Sequence, residues 1–211
     1  MWRVRAVPRW ALLSSAAAPV FLIGGWTLAA SRQPGGFDQV GGTISALAAL
    51  DAADRWIMTV GLLGLGLCHC LTAAGLRPLR PAGRLLLALG GVATLAVSAF
   101  PLPVQRGSST AHGLSAAVAF GALALWPALS AHRRRVPAGA AGLSARRGTA
   151  AGALLLALVG WFVVELSSGG ARIGLAERVA AGAEALCPLL VVLALSRSRR
   201  AAGGAPAPAP R

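Results

Sequence analysis

Six stretches of this chain are predominantly apolar over close to the 20 or so residues that a helix needs to cross the hydrocarbon of a bilayer. They cover residues 10–30, 55–76, 84–100, 112–132, 148–165 and 177–196, the third being the shortest. Charged residues make up 12% of the 211, where a soluble domain carries about 25%, and the mean hydropathy is +0.68. The solvent this chain is built for is lipid. The expected fold is all-α, a polytopic transmembrane bundle of six helices over 10–196. A basic segment, 1–9, precedes it, and a basic Ala- and Pro-rich tail, 197–211, is expected to be disordered. The first apolar run is about twice the length of a signal-peptide core, which suits an anchor better than a cleaved leader.

The charges are sorted between the two sides of these spans. Arg3, Arg5 and Arg9 precede the first span, Arg77, Arg80 and Arg84 join the second to the third, and Arg133, Arg134, Arg135, Arg146 and Arg147 join the fourth to the fifth. Arg197, Arg199, Arg200 and Arg211 follow the sixth, so fifteen of the twenty arginines share one side, with no acid among them. Arg32, Arg55, Arg106, Arg172 and Arg178 fall on the other side, together with all six acids: Asp38, Asp51, Asp54, Glu165, Glu177 and Glu184. The positive-inside rule then predicts cytoplasmic N- and C-termini in a plasma membrane of bacterial type. An even number of spans agrees with that. Trp10 and Trp126 are expected at the inner interface, and Trp26 and Trp56 at the outer one.

A net charge of +14 raises nucleic acid as a partner, but the arginines lie in short clusters between apolar spans, as topology-setting loops do. No nucleic-acid partner is expected. The basic residues are all arginine, which fits a GC-rich coding bias and carries little mechanism. Cys68-His69-Cys70 has metal-binding residue types, yet neighbours on a helix point about 100° apart and cannot converge on one ion. These residues, with Cys187, are expected to pack, and no metal or cofactor is predicted.

Candidate chemistry lies on the acidic side. Glu177 and Glu184 are seven apart on the sixth span, hence on nearly one face and about 10 Å apart along the axis. Glu184, about two turns deep, is the most expensive charge in the chain and must be protonated, paired or in water. Asp51, Asp54 and Arg55 follow an i, i+3, i+4 pattern that reads as an interfacial salt bridge at the start of the second span. Thr43 or Ser45 would cap a short helix in the long connection between the first two spans. His112 opens the fourth span as a polar interfacial residue, a base or a metal ligand. His69 lies deeper, with no acid expected near it, and His132 sits beside an arginine triplet. Small residues at helical spacing, Gly61 with Ala73, and Gly148, Gly152 and Gly160, are expected helix-contact faces, within the bundle or toward a second copy or another membrane protein.

Several short motifs occur in order: Gly42-Thr43-Ile44-Ser45-Ala46-Leu47 before the second span, Phe100-Pro101 closing the third, His112-Gly113 opening the fourth, and Gly174-Leu175-Ala176-Glu177-Arg178 at the sixth. Together, over about residues 11–195, they resemble the domain-of-unknown-function 998 family of six-helix bacterial and archaeal membrane proteins. The resemblance implies a six-span membrane protein without an established activity, and it singles out Ser45, His112, Glu177 and Arg178. The segment after Phe100-Pro101 departs from the pattern: it reads Leu102-Pro103-Val104-Gln105 where relatives carry an acid.

The sequence favours a non-enzymatic role, the handling of a membrane lipid or small anion in an outward-facing polar pocket formed by Asp54, Arg55, His112, Glu177, Arg178 and Glu184. Arg55 and Arg178 would hold the anionic group, and Glu184 would set the depth of a hydrated cleft. A membrane hydrolase with His112 as base or ligand, assisted by Glu177, Asp54 or Ser45, is the alternative, although no GxSxG, HExxH or phosphate-cradling loop is present. A purely structural subunit is a further reading. A transporter is disfavoured because the halves show no inverted repeat.

Overall fold

A computed structural model describes residues 7–131 and 142–203. Arg3, Arg5, His132, Arg133, Arg134, Arg135 and Arg211, and the tail from 204, lie outside the described residues. Six helices are long and apolar enough to span a membrane: α1 Arg9–Ser31, α2 Trp56–Gly75, α3 Pro81–Ala99, α4 Thr110–Ser130, α5 Ala145–Ser168 and α6, whose apolar part is Ile173–Arg197. No strand occurs among the described residues. The all-α, six-span expectation is met, with most boundaries within a few residues. α3 begins three residues early because Pro81 occupies its first turn, where the missing N–H costs nothing. α6 continues past Ser196 to Gly203.

α1 is not uniform. Pro19 offers no N–H to the helix, and after it Val20–Gly24 widens into a π-helical turn before α-helix resumes at Gly25. Consecutive helices are neighbours, from α1 against α2 through to α5 against α6, and α6 closes the ring against α1. α5 is the most peripheral, with 17% of its apolar stretch buried against 39% to 56% in the other five.

Packing in lipid relies on close approach rather than on expulsion of water. A Cβ at Gly91 would stand 2.7 Å from the Gly66 carbonyl oxygen, so α2 and α3 touch backbone to backbone. The predicted Gly148/Gly152 seam is an internal contact: a Cβ at Gly148 would lie 2.6 Å from the Pro127 carbonyl oxygen on α4. Gly160 has open space instead, because its eight-residue offset from Gly152 rotates it off that line.

The alternating helix directions gather the described acids at one end of the bundle, with Glu184 further inside α6, and Arg9, Arg77, Arg80, Arg84, Arg146, Arg147 and Arg197 at the other. At the arginine end, Arg84 donates to the Ala73 and Ala74 carbonyls at 3.0 and 3.4 Å, covering the C-terminus of α2. Trp126, expected at an interface, is fully buried in the core there beside Leu87, Leu123 and Val192. Trp10 and Trp56 are exposed, as interfacial rings would be.

Candidate functional site

The acidic end is organised by the connection between α1 and α2. Gly35 and Gly36, both at positive φ (77° and 88°), turn the chain back over the bundle. Asp38 then makes an Asx turn, its Oδ1 accepting from the Val40 N–H at 2.9 Å, and its carbonyl accepts from Gly42 at 2.7 Å. The N–H groups of Gly41 and Val40 hold the Asp38 carboxyl below its ordinary value of 3.8, with help from the Arg178 charge. Thr43 Oγ1 accepts from the Ala46 N–H at 3.1 Å and caps a 3-10 turn, Ser45–Ala48. Thr43 is therefore the cap, which leaves the Ser45 side chain free for other partners.

This loop is fastened to the start of α6. The Leu175 N–H, one of the donors a helix N-terminus leaves without an intrahelical partner, reaches the Val40 carbonyl at 2.9 Å. Arg178 Nη1 donates to the carbonyls of Gln39 (2.9 Å), Gly42 (2.7 Å) and Gly174 (3.0 Å). Its guanidinium carbon lies 5.9 Å from the Trp26 ring centre and 5.7 Å from that of Phe37, within cation–π range of both. Gly174 is required for this approach, since a Cβ there would collide with the Gly42 carbonyl. Arg178 thus clamps the loop through Nη1, while its buried Nε and Nη2 have no partner among the described residues, and Trp26 lies within cation–π range of the guanidinium.

Glu177, one residue earlier, is also buried. One carboxyl oxygen, Oε2, accepts a short hydrogen bond from the Ile44 N–H, and Oε1 accepts from the Ser45 hydroxyl at 3.3 Å. On the far side of that hydroxyl, His112 Nε2 lies 3.0 Å from Ser45 Oγ. The other ring nitrogen, Nδ1, is 2.9 Å from the Phe100 carbonyl oxygen. A carbonyl only accepts, so Nδ1 carries a proton; in the neutral ring the Nε2 lone pair then faces the serine. Ser109 Oγ supports the start of α4 by accepting from the His112 N–H at 3.4 Å. A base oriented by a backbone group, beside a hydroxyl and a carboxyl, can in principle activate that hydroxyl or pass a proton through it.

Below Ser45 lies a cavity of about 60 Å³ between α1, α2, α3, α4 and α6. Ser45 and Glu177 border its upper part, and Leu22, Leu65 and Phe120 contribute apolar walls. Deeper, the cavity is bordered by His69, Thr94 and Glu184. His69 is fully buried with no partner on either ring nitrogen, and Glu184 is 2% exposed with Oε1 unpartnered. No acid contacts His69 among the described residues, yet His69 from α2 and Glu184 from α6 border the same cavity.

Not all the sequence candidates meet. Ser45, His112, Glu177 and Arg178 converge, and Glu184 lines the same cavity. Asp54 is exposed, at φ 48°, and accepts from Trp56 Nε1 at 3.3 Å. Arg55 is half-buried with Nε unpartnered. The Asp51-Asp54-Arg55 salt bridge does not form among the described residues, because α2 begins only at Trp56 and the helical spacing does not apply to the turn before it. Gln33 and Gln105 escaped the sequence reading. Gln33 Nε2 donates to the Ala53 carbonyl at 2.8 Å, and Gln105 Nε2 to Gln33 Oε1 at 3.1 Å, so the segment after Phe100-Pro101 is tied down by an amide.

Residues 15–203 match the family described as "Protein of unknown function (DUF998)", and the chain belongs to that family. No curated protein and no solved structure matches it.

Proposed function

We propose that this protein is a membrane-embedded hydrolase of lipid-soluble esters or amides, with Ser45 as nucleophile and His112 as its base. The observation that carries the reading is the oriented pair: Ser45 Oγ stands 3.0 Å from Nε2 of a ring whose Nδ1 is 2.9 Å from the Phe100 carbonyl oxygen. A serine hydroxyl is a weak nucleophile until a neighbouring base takes its proton, and a third group must hold that base in the right tautomer. In the forward step the Ser45 hydroxyl turns its one proton from Glu177 Oε1 to the Nε2 lone pair, and Oγ attacks the carbonyl carbon as that proton passes to Nε2. His112 returns that proton to the leaving alcohol or amine, and water releases the acyl group by the reverse route. Glu177, across the hydroxyl, offsets the positive charge on His112 while the ring holds the proton.

Non-catalytic binding of an anion at Arg55 and Arg178 is a second reading: Arg178 Nη1 is engaged with three backbone carbonyls, but Arg178 Nε and Nη2 and Arg55 Nε have no partner among the described residues. A scaffold role has its own observation in its favour, because the same hydrogen bonds fasten the loop to α4 and α6. By the positive-inside rule the acidic end faces outward from a bacterial plasma membrane.

A fluorophosphonate probe applied to the protein in liposomes separates these readings. A hydrolase gives an adduct at Ser45 that is lost in Ser45→Ala and slowed about 100-fold or more in His112→Gln. Absence of an adduct on the wild type, with Ser45→Ala lowering thermal stability, makes the network a scaffold.

A further inference from the structure

We propose that His69 and Glu184 form a second site, a water-filled proton-binding site in the middle of the bundle that no part of the Ser45 chemistry uses. Counted from the acidic end, Glu184 lies eleven residues into α6 and His69 thirteen into α2, about 17 and 20 Å along their axes. The two are therefore at similar depth on two different helices, and both border the same cavity. Neither has a protein partner for its free polar atoms: His69 Nδ1 and Nε2 and Glu184 Oε1 are all buried and unpartnered.

Such atoms in a membrane interior cost several kcal/mol each unless something meets them. The cavity supplies the room. At about 10–15 Å³ of such volume per water, its 60 Å³ has room for about four to six waters. Thr94 adds an acceptor, since its own hydroxyl donates to the Gly90 carbonyl at 2.8 Å.

One proton makes the pair neutral overall. It resides on the Glu184 carboxyl beside a neutral ring, or on the ring beside a carboxylate, and it passes between them through water with no net charge left in the bundle. Of the other groups that line the cavity, α1 and α4 bring no titratable side chain and α3 brings only Thr94. α6 brings Glu177 at the upper end beside Ser45, behind which stands His112. A site of this chemistry takes a proton with its hydrating waters, and it is independent of whether Ser45 is a nucleophile.

Infrared difference spectra of the purified protein in lipid nanodiscs test it through the carbonyl stretch of a protonated, buried carboxylic acid. In the wild type the band should be present, should shift to lower frequency in deuterated water, and should vanish in Glu184→Gln while persisting in Glu177→Gln. His69→Gln should move the pH at which the band titrates by about one unit, which a packing role would not do. Absence of the band at every pH the protein tolerates overturns the site, as does a band unmoved by deuterium or one removed only by Glu177→Gln. If Glu184→Gln does not fold, the deuterium shift and the His69→Gln titration decide the matter by themselves.

Discussion

Glu177 and Glu184 lie two turns apart on one helix, both almost fully buried, under opposite conditions. Glu177 meets the Ile44 N–H and the Ser45 hydroxyl, both supplied by a loop that folds over the end of the bundle. Glu184 faces a cavity with Oε1 unpartnered, and His69 is in the same state across from it. The upper carboxyl is part of what holds the molecule together. The lower one has no protein partner for Oε1 among the described residues, and an ionisable group within a span is costly unless water or a shared proton meets it.

That contrast can be broken by mutation. The largest effect should come from Arg178→Met, which leaves the Gln39 and Gly42 carbonyls without their donor and the loop without its clamp. A loss of about 3 kcal/mol or more is expected, since each buried group left unpaired costs about 1–3 kcal/mol. Thermal unfolding in detergent and proteolysis within residues 37–48 would report it; an unchanged melting temperature would show that the clamp bears no weight.

The sharpest comparison is Glu177→Leu against Glu184→Leu. The first strands the Ile44 N–H and should destabilise by about 1–3 kcal/mol, whereas the second removes a carboxyl whose Oε1 has no protein partner and should stabilise or leave stability unchanged. Melting temperatures that move in the same direction would erase the distinction between the two positions.

The smallest effect concerns Asp38. Its carboxyl is depressed below 3.8 by the N–H groups of Gly41 and Val40, with a further contribution from Arg178. The contribution to loop stability is thus complete above that value and is lost as pH falls through the lower folded one. Proteolysis of residues 37–48 by an acid protease should rise in that acidic window for the wild type. In Asp38→Asn it should be higher at neutral pH and lack the acid step.

The sequence carried depth well and azimuth poorly. Apolar length placed six spans, and rise per residue placed Glu184 two turns below Glu177, because both quantities run along a single helix axis. Which residues face one another across helices depends on neighbours and rotation, which periodicity along one segment does not encode. His69 and Glu184 were each visible as ionisable groups in a span, but their shared cavity was not. Ser45 and His112 were marked by type and by resemblance, while the Phe100 carbonyl that orients the ring carries no side-chain signal at all. The contacts of Arg178 Nη1 with the Gln39 and Gly42 carbonyls carry no side-chain signal either, because they depend on the path of a distant loop. The Asp-Gly spacing of 38, 41 and 42 held a hint of that loop in its turn chemistry.

Arg178 grips main-chain oxygens, and this sets which changes in the loop it can absorb. A carbonyl at residue 39 is the same whatever side chain the residue bears, and the Gln39 side chain is exposed. The clamp therefore recognises the path of the chain rather than its spelling, and position 39 is free to drift in identity. Position 42 is not, because a Cβ there would stand 2.6 Å from the Phe37 ring and 2.7 Å from the Asp38 carbonyl oxygen. Two neighbouring contacts to one guanidinium thus impose opposite mutational histories, tolerant at Gln39 and closed at Gly42.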